Sequence, residues 1–111
     1  MQIIKDDYYY IDKIIIDLSF ICKHMFNKTL DSFKQDELLV DSMLFRLIQV
    51  SENAKKISDQ FKKMNNKILW SDILGLRNRI VHDYGNIDYS IIYNTLIKDI
   101  PFLLNELQNE A

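Results

Sequence analysis

Two glycines, one proline and one cysteine are all that this chain holds of the residues that make tight turns and crosslinks. So little glycine leaves no means of building a Walker-type phosphate loop or a dinucleotide fingerprint, each of which needs several glycines close together. The same shortage argues against a many-stranded sheet and for a few long helices. With one cysteine there can be no internal disulfide. Cys22 falls in an apolar helical pattern, where a buried, reduced thiol in the cytoplasm is expected. No Cys/His cluster has zinc-ligand spacing, so neither a metal nor another cofactor is expected. No apolar run is long enough to span a bilayer, and "MQIIKDDYYY" carries two acidic residues where a signal peptide would be basic. These features predict a cytoplasmic protein with no membrane association.

What is present is an ordinary globular composition, 48% apolar and 27% charged, over 111 residues. Residues 1–111 are expected to form a single domain. The net charge of −2 is unevenly spread. From Lys55 to Arg79, seven basic residues stand against Asp59 and Asp72, a local +5 that leaves −7 on the remainder. Such a patch is either a solvated helix end or an attractor of phosphate. Lys67 and Arg79 within it are the candidates for RNA contact.

Helical periodicity runs through the whole chain. A first helix is predicted over about Asp7 to Met25, with Ile11, Ile14, Ile15, Leu18, Ile21 and Met25 on its inner face. After a joint at Asn27 to Asp31, Ser32 with Gln35 resembles a capping box. A long second helix then extends to about Met64 on the stripe Val40, Met43, Leu44, Leu47, Val50, Ala54, Ile57 and Phe61. A third spans roughly Ser71 to Asp83 and is closed by Tyr84, Gly85 and Asn86. The last starts near Asp88, its predicted cap, and continues to about Glu106. Pro101 lies inside it, removes the hydrogen bond to the Ile97 carbonyl and should kink it. The expected architecture is all-α, an antiparallel bundle of four helices, five at most.

The stretch "GLRNRIVHDYGNID" is the chemical anomaly. Asn78 and His82 are four residues apart and share a helix face. Arg77 and His82 are five apart, rotated by about 140° and separated by about 7.5 Å along the axis. They can meet at one phosphate only if the helix loosens at His82, or if a second copy of the chain supplies residues across a two-fold axis. Arginine's fork binds phosphate oxygens and stabilises charge developing on them. Histidine moves a proton near neutral pH. RNA carries its own nucleophile, the ribose 2′-hydroxyl, so cleavage to a cyclic phosphate can proceed without a metal. Plainer readings exist: His82 interacting with the helix dipole, Arg77 pairing with Asp72 or Asp83 on the surface, and Tyr84 closing the helix. Glu52 is the second anomaly. A carboxylate on the otherwise apolar second helix wants a cation, and an arginine of the third helix is the obvious source.

The run Arg77-Asn78-Arg79-Ile80-Val81-His82-Asp83-Tyr84 resembles the Arg-x-x-x-x-His-x-Tyr motif of the HEPN superfamily, in particular its HepT-like toxin branch. Trp70 with "GLRN", the segment "IDYSIIYNTLIKDIP" and "SENAKKIS" around Glu52 are similar to that branch too. Most of the chain is covered, the N-terminal helix least. Ser51 stands where the branch usually has glycine, and Leu69 where it usually has proline. The resemblance implies a HEPN-like bundle forming a two-fold homodimer, with the motifs of both copies facing one cleft. It further implies a metal-independent endoribonuclease, the toxin of a type VII-like toxin–antitoxin pair. Arg77 and His82 would be catalytic, and Asn78 and Glu52 supporting. Tyr84 would accept AMP from an MNT-type nucleotidyltransferase antitoxin. The alternative is a non-catalytic helical module that binds such a partner or a nucleotide.

Overall fold

Short polar side chains punctuate the chain, and five of its helices start where one of them captures an orphan backbone N–H. The computed structural model describes residues 6–82 and 84–110, without the side chains of Tyr84 and Glu110. The Asp6 carboxylate accepts from the Tyr9 N–H and opens α1 (Asp7–Met25). Asn27 then takes a left-handed conformation, φ 59°, which asparagine tolerates better than most residues. Thr29 and Ser32 form a reciprocal capping box at the start of α2 (Leu30–Gln35). Asp36 caps α3 (Glu37–Lys55), and Ser58 caps α4 (Asp59–Met64). Next come α5 (Trp70–His82) and a 3-10 turn over Tyr84–Asn86. Asp88 accepts from the Ser90 and Ile91 N–H groups at the start of α6 (Tyr89–Asn94). A π turn, Thr95–Asp99, leads straight into α7 (Ile100–Glu110). Among the described residues there is no strand.

Two expectations need correction. The long second helix is three helices, because the side chains of Asp36 and Ser58 take backbone donors that a continuous helix would have used. Its capping box is Thr29 with Ser32, not Ser32 with Gln35. The apolar stripe runs across the second break, which hid it: Val40 to Ala54 lie in α3, Ile57 in the joint and Phe61 in α4. Pro101 follows a wide turn: the Ile100 N–H bonds back to the Thr95 carbonyl, five residues away, and such a π turn is one of the features at which helices bend.

Taken as one rod, α6, the π turn and α7 make a four-helix bundle with α1, α3 and α5, and α2 and α4 serve as connectors. Packing follows the order α7, α1, α3, α5. The fourth seam, between α5 and α7, is not closed to the same extent. Ile11, Leu18, Ile21, Met43, Leu47, Val50, Leu96, Ile100 and Leu107 are buried on the interior faces. Phe33 of α2 is fully buried beneath Tyr93. Trp70 sits at the edge of this core and donates its indole N–H to the Asn65 carbonyl. No helix among the described residues is long and apolar enough to cross a membrane. Cys22 is half-buried rather than buried, and burial pushes its thiol upward from the usual range.

One polar residue interrupts the inner face of α1. Asp17 is buried and accepts from Arg46 of α3 at 2.8 Å, while the Arg46 guanidinium lies 3.7 Å from the centre of the Phe20 ring. Arg46→Met keeps the stem over Phe20 but leaves a carboxylate in the bundle without its cation. It is expected to cost about 1–3 kcal/mol in urea unfolding, and adding Asp17→Leu should recover most of that loss.

Candidate functional site

The site is built on the seam between α3 and α5. Ser51 of α3 is fully buried and donates its hydroxyl to the Leu74 carbonyl at 3.1 Å. This bond satisfies the one polar atom that serine adds where the resembling family has glycine. It also fixes the register of α3 against α5 one residue before Glu52 and three before Arg77. There, Arg77 Nε lies 3.1 Å from Glu52 Oε1, and Lys55 Nζ approaches the same oxygen at 3.5 Å. Arg77 Nη1 donates to Asn78 Oδ1 at 3.4 Å. The carboxylate expected to seek an arginine of the third helix has found Arg77, and neither Asp72 nor any other described acid pairs with it.

Both side chains of this pair remain partly open, at 44% for Arg77 and 39% for Glu52. Solvent screening keeps such a pair to about 0.2–1 kcal/mol of stability, so its effect is chiefly orientation. Glu52 holds Nε on the inner edge, Asn78 engages Nη1, and Nη2 has no partner among the described residues. The guanidinium is therefore steadied at two of its nitrogens, and the third is open to an oxyanion.

The α-helix continues regularly through His82, so loosening does not bring His82 round to Arg77. His82 is exposed and has no hydrogen-bond partner among the described residues. Helical geometry places it about 40° from Asn78 but about 140° from Arg77. Ser71, Gly75, Asn78 and His82 then share one outward strip of α5, with Arg77 on its α3 side. A methyl group added at Gly75 would meet nothing closer than Arg79 Nη2, at 4.0 Å, so packing within one chain does not demand glycine there. The Tyr84 backbone lies in the 3-10 turn after α5. Its side chain and Asp83 lie outside the described residues.

The RNA-contact candidates Arg79 and Lys67 do not join Arg77. Arg79 is rotated about 200° from it, and with Lys67 it lines a groove of about 510 Å³ in the open α5–α7 seam. Other lysines of the +5 segment serve the fold: Lys56 lies over the Tyr10 ring, Lys62 over Trp70, and Lys55 approaches Glu52. Sequence reading did not identify the groove, because it depends on how far two helices distant in sequence diverge.

An all-α bundle carrying a carboxylate-held arginine, an asparagine and an open histidine near one helix end defines the class of protein. The chain belongs to the ribonuclease HepT-like family, whose family model matches residues 14–110. It is 25% identical over 99 residues to a provisionally named RNase of Caldanaerobacter subterraneus subsp. tengcongensis, covering 89% of this chain and 88% of that one. A Methanocaldococcus jannaschii protein named as a gamma-glutamylcyclotransferase and, provisionally, an RNase is 26% identical over 103 residues, covering 93% of this chain and 46% of its own length. A probable ribonuclease HepT of Thermococcus cleftensis is 27% identical over 59 residues, covering 53% of this chain and 54% of its own. This chain thus spans about half the length of the Methanocaldococcus protein. No solved structure matches it.

The Ser51 bond gives a direct check on the seam. Ser51→Ala should lower stability by about 0.5–1.5 kcal/mol in urea unfolding, the worth of one hydrogen bond. Ser51→Gly should cost roughly a further 1 kcal/mol, because glycine is a poor helix former.

Proposed function

We propose that this protein is a metal-independent endoribonuclease acting as a two-fold dimer, the toxin of a type VII-like toxin–antitoxin pair. The observation that carries this reading is Arg77, held at the α3–α5 seam by Glu52 with its Nη2 unpartnered among the described residues, on the helix that ends in the open His82. Membership of the ribonuclease HepT-like family supports the choice of RNA as substrate.

In the proposed reaction, the ribose 2′-hydroxyl attacks the adjacent phosphorus. A bond forms from O2′ to phosphorus while the bond to the 5′ oxygen of the next nucleotide breaks. The products are a 2′,3′-cyclic phosphate and a free 5′-hydroxyl. One histidine removes the 2′ proton, and another protonates the leaving oxygen. The Arg77 guanidinium stabilises the charge that gathers on the phosphorane oxygens.

A dimer supplies what one chain lacks. Within one regular helix Arg77 and His82 diverge, and α5 of one chain carries only one of the two histidines that the reaction uses. A two-fold axis beside the outward strip of α5 brings two histidines and two arginines to one cleft. Gly75 is consistent with this. Glycine inside a helix costs about 0.5–1 kcal/mol relative to alanine, and nothing among the described residues needs its small size. Close approach of a second α5 would need it. Transfer of AMP from ATP to the Tyr84 hydroxyl by a nucleotidyltransferase antitoxin would release pyrophosphate. It would leave bulk and negative charge beside His82, repelling RNA.

Wild-type protein is expected to cleave end-labelled RNA in EDTA, leaving 2′,3′-cyclic phosphate ends, and His82→Ala is expected to be inactive. Equal cleavage by both would remove His82 from the reaction. Where freshly purified wild type is inactive, intact mass is expected to show about 329 Da added per AMP group; an unmodified, inactive protein would overturn the reading. Gly75→Leu should give a helical monomer by light scattering and lose cleavage with the dimer. If it cleaves as a monomer, the shared cleft is wrong.

A further inference from the structure

Three of the four long seams of the bundle are packed shut, and the seam between α5 and α7 is not. The groove there is about 510 Å³ and has an apolar floor that includes Ile73, Leu76, Ile100 and Leu103. Its lips carry two large apolar side chains left in solvent, Leu69 at 63% and Phe102 at 60% exposure. Lys67, Arg79 and Lys98 stand around it, and none forms an ion pair among the described residues. Asp72, Asp99 and Glu106 also line it, so the groove is not a plain polyanion channel. Uncommitted cations, hydrogen-bond acceptors and an exposed aromatic ring over an apolar floor suit a nucleotide: phosphate outside, base within. The acceptors match exocyclic amino groups on a base edge.

Position argues for RNA over a separate ligand. Arg79 belongs to the groove, yet its Nη2 lies only 4.0 Å from where a Cβ of Gly75 would be, beside the outward strip that includes Asn78 and His82. His82 is one helical turn on from Arg79, rotated by about 60°. A strand whose scissile phosphate lies at that strip therefore has Arg79 as its next cation and the groove as its next cavity. A second, smaller cavity of about 80 Å³ adjoins through Leu76, Arg79 and Thr95. The π turn Thr95–Asp99 lies along the far wall, to which it contributes Thr95, Lys98 and Asp99.

We propose that the open α5–α7 seam is a base-binding subsite for single-stranded RNA, taking the unstacked base of a nucleotide next to the scissile phosphate, with Phe102 as its stacking surface and Arg79 bridging it to the cleavage site. This inference rests on the ribonuclease reading and adds to it a substrate class. Duplex RNA, whose bases remain stacked and paired, cannot use the subsite.

The test uses the whole protein. Single-stranded and duplex forms of one RNA are given to wild type and to Phe102→Ala. Loss of one base–aromatic contact should raise KM for the single strand about tenfold, with kcat little changed and circular dichroism preserved. In His82→Ala, RNA substituted with 4-thiouridine should photocrosslink to peptides containing Leu69 or Phe102. If wild type does not cleave RNA at all, the ribonuclease reading fails and this one with it. If wild type cleaves, but Phe102→Ala has an unchanged KM and crosslinks map elsewhere, only the subsite is overturned. Unchanged RNA kinetics in Phe102→Ala, together with loss of binding to the antitoxin, would assign the groove to a protein partner and also overturn it.

Discussion

Everything at the candidate site depends on how α3 and α5 register against one another. That register is held by one buried hydroxyl, Ser51, against the Leu74 carbonyl, with Val50 and Ala54 fully buried on either side. A shift of one residue along α3 would carry Glu52 about 100° round its helix and away from Arg77. The ion pair is too exposed to impose this register itself. The buried contact sets the distance, and the charged pair uses it to aim a guanidinium.

The helix α5 is asked to do several things, and its geometry distributes them by angle. Ile73, Leu76 and Ile80 face the core. Arg77 turns toward α3, Arg79 toward the α5–α7 groove, and Gly75, Asn78 and His82 outward. Thirteen helical residues thus serve an interior, a tethered cation and two open faces. Because the helix stays regular to His82, none of these directions can be borrowed for another. This rigidity is why the proposed chemistry calls on a second copy and not on local distortion.

The helical class, the bounds of α1, the Asp88 cap and the buried faces of α1 and α3 were legible because each rests on a local rule, whether period, cap or charge. Glu52 with Arg77 was legible for a related reason: a carboxylate amid an apolar stripe has few ways to be satisfied. The breaks at Asp36 and Ser58 were not. The stripe continues in phase across Ser58, and a capping side chain such as Asp36 reads like any exposed polar residue. Asp17 with Arg46 was equally hidden, since a lone aspartate on an amphipathic helix gives no sign that it turns inward. The groove was beyond sequence reasoning, because lack of packing between two helices leaves no periodic mark on either.

Pro101 links these last points. In a straight α-helix its ring would press on the Ile97 carbonyl, and a kink is one way to relieve that. Here the turn before Pro101 is a wide one, closed from the Ile100 N–H to the Thr95 carbonyl, and Leu96, Ile100 and Leu107 are buried on the side that packs against α1. Thr95, Lys98 and Asp99 of the same turn line the open seam on the other side. A residue that reads in the sequence only as a helix breaker thus stands just after the turn that joins the packed side of the bundle to its groove.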